Sequence, residues 1–172
     1  MDEKGDMPVL NLQGALSLVK ETVDDFRKKL KRYQFDFDSI DDKGKTLLIH
    51  LAETMPNSDY LWVILEFFCD TNVKDSEGDR TALHYACKNQ NKGVILSLLM
   101  FGASTEMLDK EGKKPFDHCP GIKDELELCL DIIEKVKIPF IQLTRKRRKY
   151  IKKIFDQIDQ STKVIDEGKL AL

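Results

Sequence analysis

The chain has 172 residues, with 28 lysines and arginines against 30 aspartates and glutamates and 41% hydrophobic residues, enough for one domain with appendages. It contains neither an apolar run of about 18 residues nor a basic-then-apolar start, which predicts no membrane span and no secretory signal. Cys69, Cys87, Cys119 and Cys129 show no CxxC pairing and read as reduced thiols of an intracellular protein.

Residues 1–10, opening MDEKGDMP, read as a short disordered lead. Over 11–40, Leu12, Leu16, Leu18, Val19, Val23, Phe26 and Leu30 fall at helical spacings and predict a polar-faced capping unit. Phe35-Asp-Phe37-Asp reads as the tail of a unit whose first helix has degenerated. From Asp41 the chain repeats itself every 34 residues: Asp41, Asp75 and Asp109; Gly44, Gly78 and Gly112; His50, His84 and His118. Ala52 matches Ala86 and Leu65 matches Leu99 in the same register. A period of this size predicts one supersecondary unit stacked on copies of itself, over 41–74, 75–108 and a closing 109–138.

The run Asp75-Ser-Glu-Gly78-Asp-Arg-Thr81-Ala-Leu-His84-Tyr-Ala86, followed by Val94 to Ala103, resembles an ankyrin repeat along its whole length. The resemblance implies an all-α solenoid of about three repeats behind an N-terminal cap. Asp75 would open a turn by bonding its own backbone, Gly78 would supply a positive φ, and Thr81 would cap the following helix. His84 would tie neighbouring loops together, the Leu98-Leu99 pair would be core, and Gly102 would end the second helix in the left-handed conformation. In the 41–74 copy, Cys69 reads as the replacement for that glycine, and Pro120 and Gly121 cut short the first helix of the last copy.

The resemblance further implies a non-catalytic module whose partner binds a concave face of turn tips and first helices. The positions that vary between copies are the candidates: Lys43 and Lys45; Glu77, Asp79 and Arg80; Lys110, Lys113 and Lys114; and on the first helix of the middle copy Tyr85, Lys88 and Asn89. Arg80 and Tyr85 are the expected anchors, being residue types over-represented in interface hot spots. No phosphate loop and no nucleophile–base arrangement stands out, and each histidine has a structural role at its repeat position. His118-Cys119 with Cys129 is short of a four-ligand zinc set. The expectation is no enzyme, cofactor, metal or small-molecule substrate.

Residues 1–142 carry 19 basic and 26 acidic side chains, whereas 143–153, LTRKRRKYIKK, carry seven basic and none acidic: Arg145, Lys146, Arg147, Arg148, Lys149, Lys152 and Lys153. With Leu143, Tyr150, Ile151, Ile154, Phe155 and Ile158 on one side, residues 139–160 predict a basic amphipathic helix. It serves either as a cap with solvated cations or as a site for an acidic partner, such as a tubulin tail, calmodulin, or an import factor ahead of nucleic acid. Ile141-Gln-Leu-Thr-Arg-Lys146 resembles the front of an IQ motif, while the acidic body and the lack of interleaved aromatics argue against nucleic acid. Residues 161–172 read as a degenerate EF-hand-like tail: counted from Asp159, glycine falls tenth rather than sixth. Repeats, basic helix and EF-hand remnant together resemble ankyrin-repeat and EF-hand proteins associated with cilia. That implies a cytoplasmic, ciliary or axonemal protein, with a nuclear regulator as the alternative.

Overall fold

The computed structural model describes residues 7–55 and 58–136, which form seven α-helices and two 3₁₀ turns. They pair along the chain as α1 (Leu12–Leu18) with α2 (Val23–Leu30), α3 (Leu47–Thr54) with α4 (Ser58–Leu65), and α5 (Ala82–Lys88) with α6 (Lys92–Met100). The 3₁₀ turns Pro115–His118 and Pro120–Ile122 then lead into α7 (Lys123–Val136). The basic segment and the EF-hand-like tail lie outside the described residues, as do residues 1–6.

Short helices need satisfied ends, and this chain supplies them locally. The side chains of Asn11, Thr22, Thr46 and Asn91 accept from the backbone N–H groups of Gly14, Asp25, Ile49 and Val94, three residues on in each case. Stacking supplies the remaining stabilisation. One layer runs α1, α3, α5 and the Pro115 turn; the other runs α2, α4, α6 and α7. α4 and α6 are apolar all round because both of their faces are covered, and Leu61, Ile64, Ile95 and Leu98 are fully buried between the layers.

Four expectations change. Residues 8–10 are not a loose lead: Gln34 donates its N–H to the Pro8 carbonyl and accepts from the Leu10 N–H, both at 2.9 Å. The first unit keeps its first helix, as α1. Gly44 and Gly112 have positive φ, at 74° and 73°, but Gly78 does not; Asp79 takes that conformation, at 52°. The cause is one extra residue between Asp75 and the cap Thr81, so the left-handed corner slides past the glycine. Finally, the corner closing α6 is Gly102 (φ 87°), and its counterpart after α4 is Phe68 (φ 61°), not Cys69.

Candidate functional site

Each turn is built on an aspartate that divides its two carboxylate oxygens between tasks. Oδ1 of Asp41 accepts the N–H groups of Lys43 and Lys45 at 2.9 and 2.8 Å, and Oδ1 of Asp109 accepts those of Glu111 and Lys113 at 2.8 and 3.0 Å. Oδ1 of Asp75 accepts those of Gly78 and Arg80 at 2.7 and 3.3 Å. Oδ2 faces the first helix. His50 Nε2 reaches Asp41 and His118 Nε2 reaches Asp109, both at 2.9 Å, but in the middle unit the hydroxyl of Tyr85 donates to Asp75 at 2.5 Å. Burial works against the charge of Asp109, yet these backbone donors and His118 outweigh it and hold its pKa at about 2.

The three histidines are therefore not equivalent, although they are spaced identically in sequence. The extra residue in the middle turn rotates His84 off the aspartate. Its Nδ1 accepts the Thr81 N–H at 3.1 Å, and its Nε2 bonds the Lys113 carbonyl of the next turn at 3.3 Å. That is the inter-repeat tie expected of it. The turns also join directly, Ser76 N–H to Lys43 carbonyl at 2.8 Å and Lys110 N–H to Gly78 carbonyl at 2.9 Å.

Four of the predicted contact residues are tied into the stack, Lys45 and Tyr85 by burial and Arg80 and Asn89 by bonds to the neighbouring unit, with Asn89 itself still exposed. Tyr85, expected as an anchor, is 6% exposed; burial and the Asp75 carboxylate push its phenol up to about 12. Lys45, 5% exposed, bonds Glu53 at 2.8 and 3.0 Å and lies over the Tyr85 ring; burial opposes its charge, but Glu53 holds its pKa above the ordinary lysine value. Arg80, at the corresponding place in the next unit, reaches forward to Glu111 at 2.8 Å and Asp109 at 3.6 Å, which makes it a clamp between units. Asn89 donates to the carbonyls of Ala52 and Glu53, closing the end of α3.

The other candidates are surface groups. Lys43, Glu77, Asp79, Lys110, Lys113 and Lys114 keep about half of their side chains exposed, and pairs such as Lys43–Glu77 at 3.2 Å and Lys113–Glu111 at 2.8 Å join them along the edge of the turns. Lys88 is exposed on α5 without an ion pair among the described residues. Glu53, Glu106 and Glu111, which hold these cations, were not singled out in the sequence. Only the position of Glu53, one turn beyond His50 on the same helix, signals it. The Arg145–Lys153 cations lie outside the described residues.

No helix among the described residues is long and apolar enough to cross a membrane. The sequence model of a family described as ankyrin repeats (3 copies) matches residues 12–109, starting in the segment read as a front cap and stopping at Asp109. No curated protein matches the chain.

Proposed function

The chain belongs to the ankyrin-repeat family, and on that premise we propose that it is a non-catalytic scaffold binding a protein partner along the turn tips and first helices. The observation that carries this is the row of half-exposed charges on turns held rigid by Asp41, Asp75 and Asp109. Exposed ion pairs of this kind contribute only about 0–1 kcal/mol each, so a partner can exchange them for its own without loosening the turns. Lys43, Glu77, Asp79, Lys88, Lys110, Lys113 and Lys114 form the contact set; Lys45, Arg80, Tyr85 and Asn89 hold it in place.

A small face binds modestly, and the cations Arg145–Lys149 with Lys152 and Lys153 add a second, linked contact that favours an acidic partner. Tubulin in a cytoplasmic or axonemal setting fits that chemistry, and the IQ-like stretch at 141–146 favours calmodulin as the second reading. The test is affinity purification of the full chain beside two variants, one with Arg145–Lys149 changed to alanine and one carrying Lys43→Glu with Lys88→Glu. Both variants should lose the main partner, whose identity separates tubulin from calmodulin. Full retention by the tip variant would overturn the concave-face assignment, and full retention by the alanine variant would remove the second contact.

A further inference from the structure

The front of the stack is not polar throughout, as a solenoid end without a partner would be. A groove there runs between α1 and the turn at 34–42, with Leu12 and Leu16 in its floor and Val9 and Ile40 at its edges, 79% and 59% exposed. Its rim carries Asp36 and Asp42, and neither lysine nor arginine lines it. Neither Asp36 nor Asp42 has an ion pair among the described residues, and the Asp36 carboxylate accepts the Asp38 N–H at 3.0 Å. Further along the layer the matching faces of α3 and α5 are covered, each by the helix before it. The groove thus presents apolar surface under uncompensated negative charge, which calls for a segment that is cationic and apolar together.

We propose that this groove binds the basic segment 139–158 of a second copy of the chain, so that copies associate head to tail. The segment has the required chemistry: seven cations with no acid over 143–153, and Leu143, Tyr150, Ile151, Ile154, Phe155 and Ile158 beside them. The occupant is another copy because of reach. Val136, at the end of α7, stands in the second-helix layer, three steps of about 8–10 Å from α2 and a further layer away from α1. The eight residues from 137 to 144, even fully extended at about 3.5 Å each, barely span that distance before turning onto the outer face. A groove at one end and a segment beyond the other make a heterologous contact, which does not close at two copies unless geometry forms a ring.

Sedimentation of the purified full chain, with no other protein present to compete for the segment, tests this. The expected result is an average mass that climbs with concentration past that of one chain and falls back at about 0.5 M salt. A groove variant, Asp36→Asn with Asp42→Lys, keeps the side-chain oxygen that accepts the Asp38 N–H; Asp42→Lys alone is the milder form. A segment variant carries Arg147→Glu with Arg148→Glu. Each should remain a single chain by itself, and an equimolar mixture should form one-to-one pairs only, the first supplying an intact segment and the second an intact groove. Wild-type protein that stays a single chain at every concentration overturns the proposal, as does self-association of either variant alone or a mixture that fails to pair.

Discussion

His50, His84 and His118 share one spacing but serve two purposes. His50 and His118 each brace the aspartate of their own turn, whereas His84 joins two turns through a neutral ring whose Nδ1 accepts and whose Nε2 donates. Burial first, with His118 and Lys74 adding to it, holds the His84 pKa below its ordinary 6.5, against the Lys113 carbonyl and Asp109, which favour the proton. Asp109, Lys74 and His118 are the charged or titratable neighbours whose fields it feels. The unfolded chain therefore takes up this proton before the folded one does, and stability declines as pH falls below about 6.5. Asp109 has the opposite sign: its folded pKa of about 2 lies under the ordinary 3.8, so the stability it contributes is complete above about pH 4 and disappears towards 2. Urea titrations of wild type and His84→Gln should show the stability difference between them shrinking from pH 7.5 to pH 5. A difference that does not change with pH would rule out a neutral His84. Asp109→Asn should cost stability at pH 7 and flatten the loss between pH 4 and 2. The 34-residue period was legible at these positions, and so was the one-place offset between Thr46 and Thr81 relative to their glycines; its effect on His84 was not, because the interval from Thr81 to His84 is one residue shorter and restores the spacing of the histidines.

At the level of the element, α4 and α6 are each followed by a left-handed corner, whereas α2 ends on a right-handed Lys31. At Gly102 an added Cβ would meet nothing within 4 Å, so Gly102→Ala costs only the torsional term, about 1 kcal/mol. Phe68 holds the same kind of corner with a bulky side chain that is 57% exposed. Phe68→Gly should therefore raise stability by up to about 1 kcal/mol, since a ring so exposed gives up little burial when it is removed. Chemical denaturation of the pair checks both signs, and a loss of stability in Phe68→Gly would mean that the ring holds the corner through packing. Helix caps at Thr46 and Thr81 and the truncation at Pro120 were readable in the sequence because they are local: a hydroxyl reaches three residues, and a proline ring constrains its immediate neighbours. The corner at Asp79 was not, since glycine next door offered the more permissive backbone and only the inserted residue moved the turn off it.

Across the whole molecule, each unit touches its neighbours in both layers, so stability passes from interface to interface. Leu98 lies in α6 between α4 and α7, and Leu98→Ala should lower the single unfolding transition by about 3 kcal/mol through the cavity it leaves. Leu126 is buried to a similar degree but stands in α7, the last helix among the described residues, so Leu126→Ala should loosen α7 while the midpoint of the remaining units moves little. Circular dichroism and tryptophan fluorescence at Trp62 separate the two, since Trp62 packs edge-on to Phe101 in the middle of the stack. Coincident shifts for both substitutions would mean that the end unit is fully coupled to the rest.

By itself the sequence determined the stacked-repeat architecture, the caps and the core leucines, because a fixed period, a hydroxyl three residues ahead of an amide and apolar stripes are properties of the chain taken locally. Only the tertiary structure decided which tip residues face solvent. Lys45 and Tyr85 look like surface groups in a polar turn and on a short helix, yet the neighbouring unit covers both and turns them into supports. The same is true of the front groove: Val9 and Ile40 stand 31 positions apart in the chain and meet at one site only because Gln34 pins residues 8–10 beside the turn.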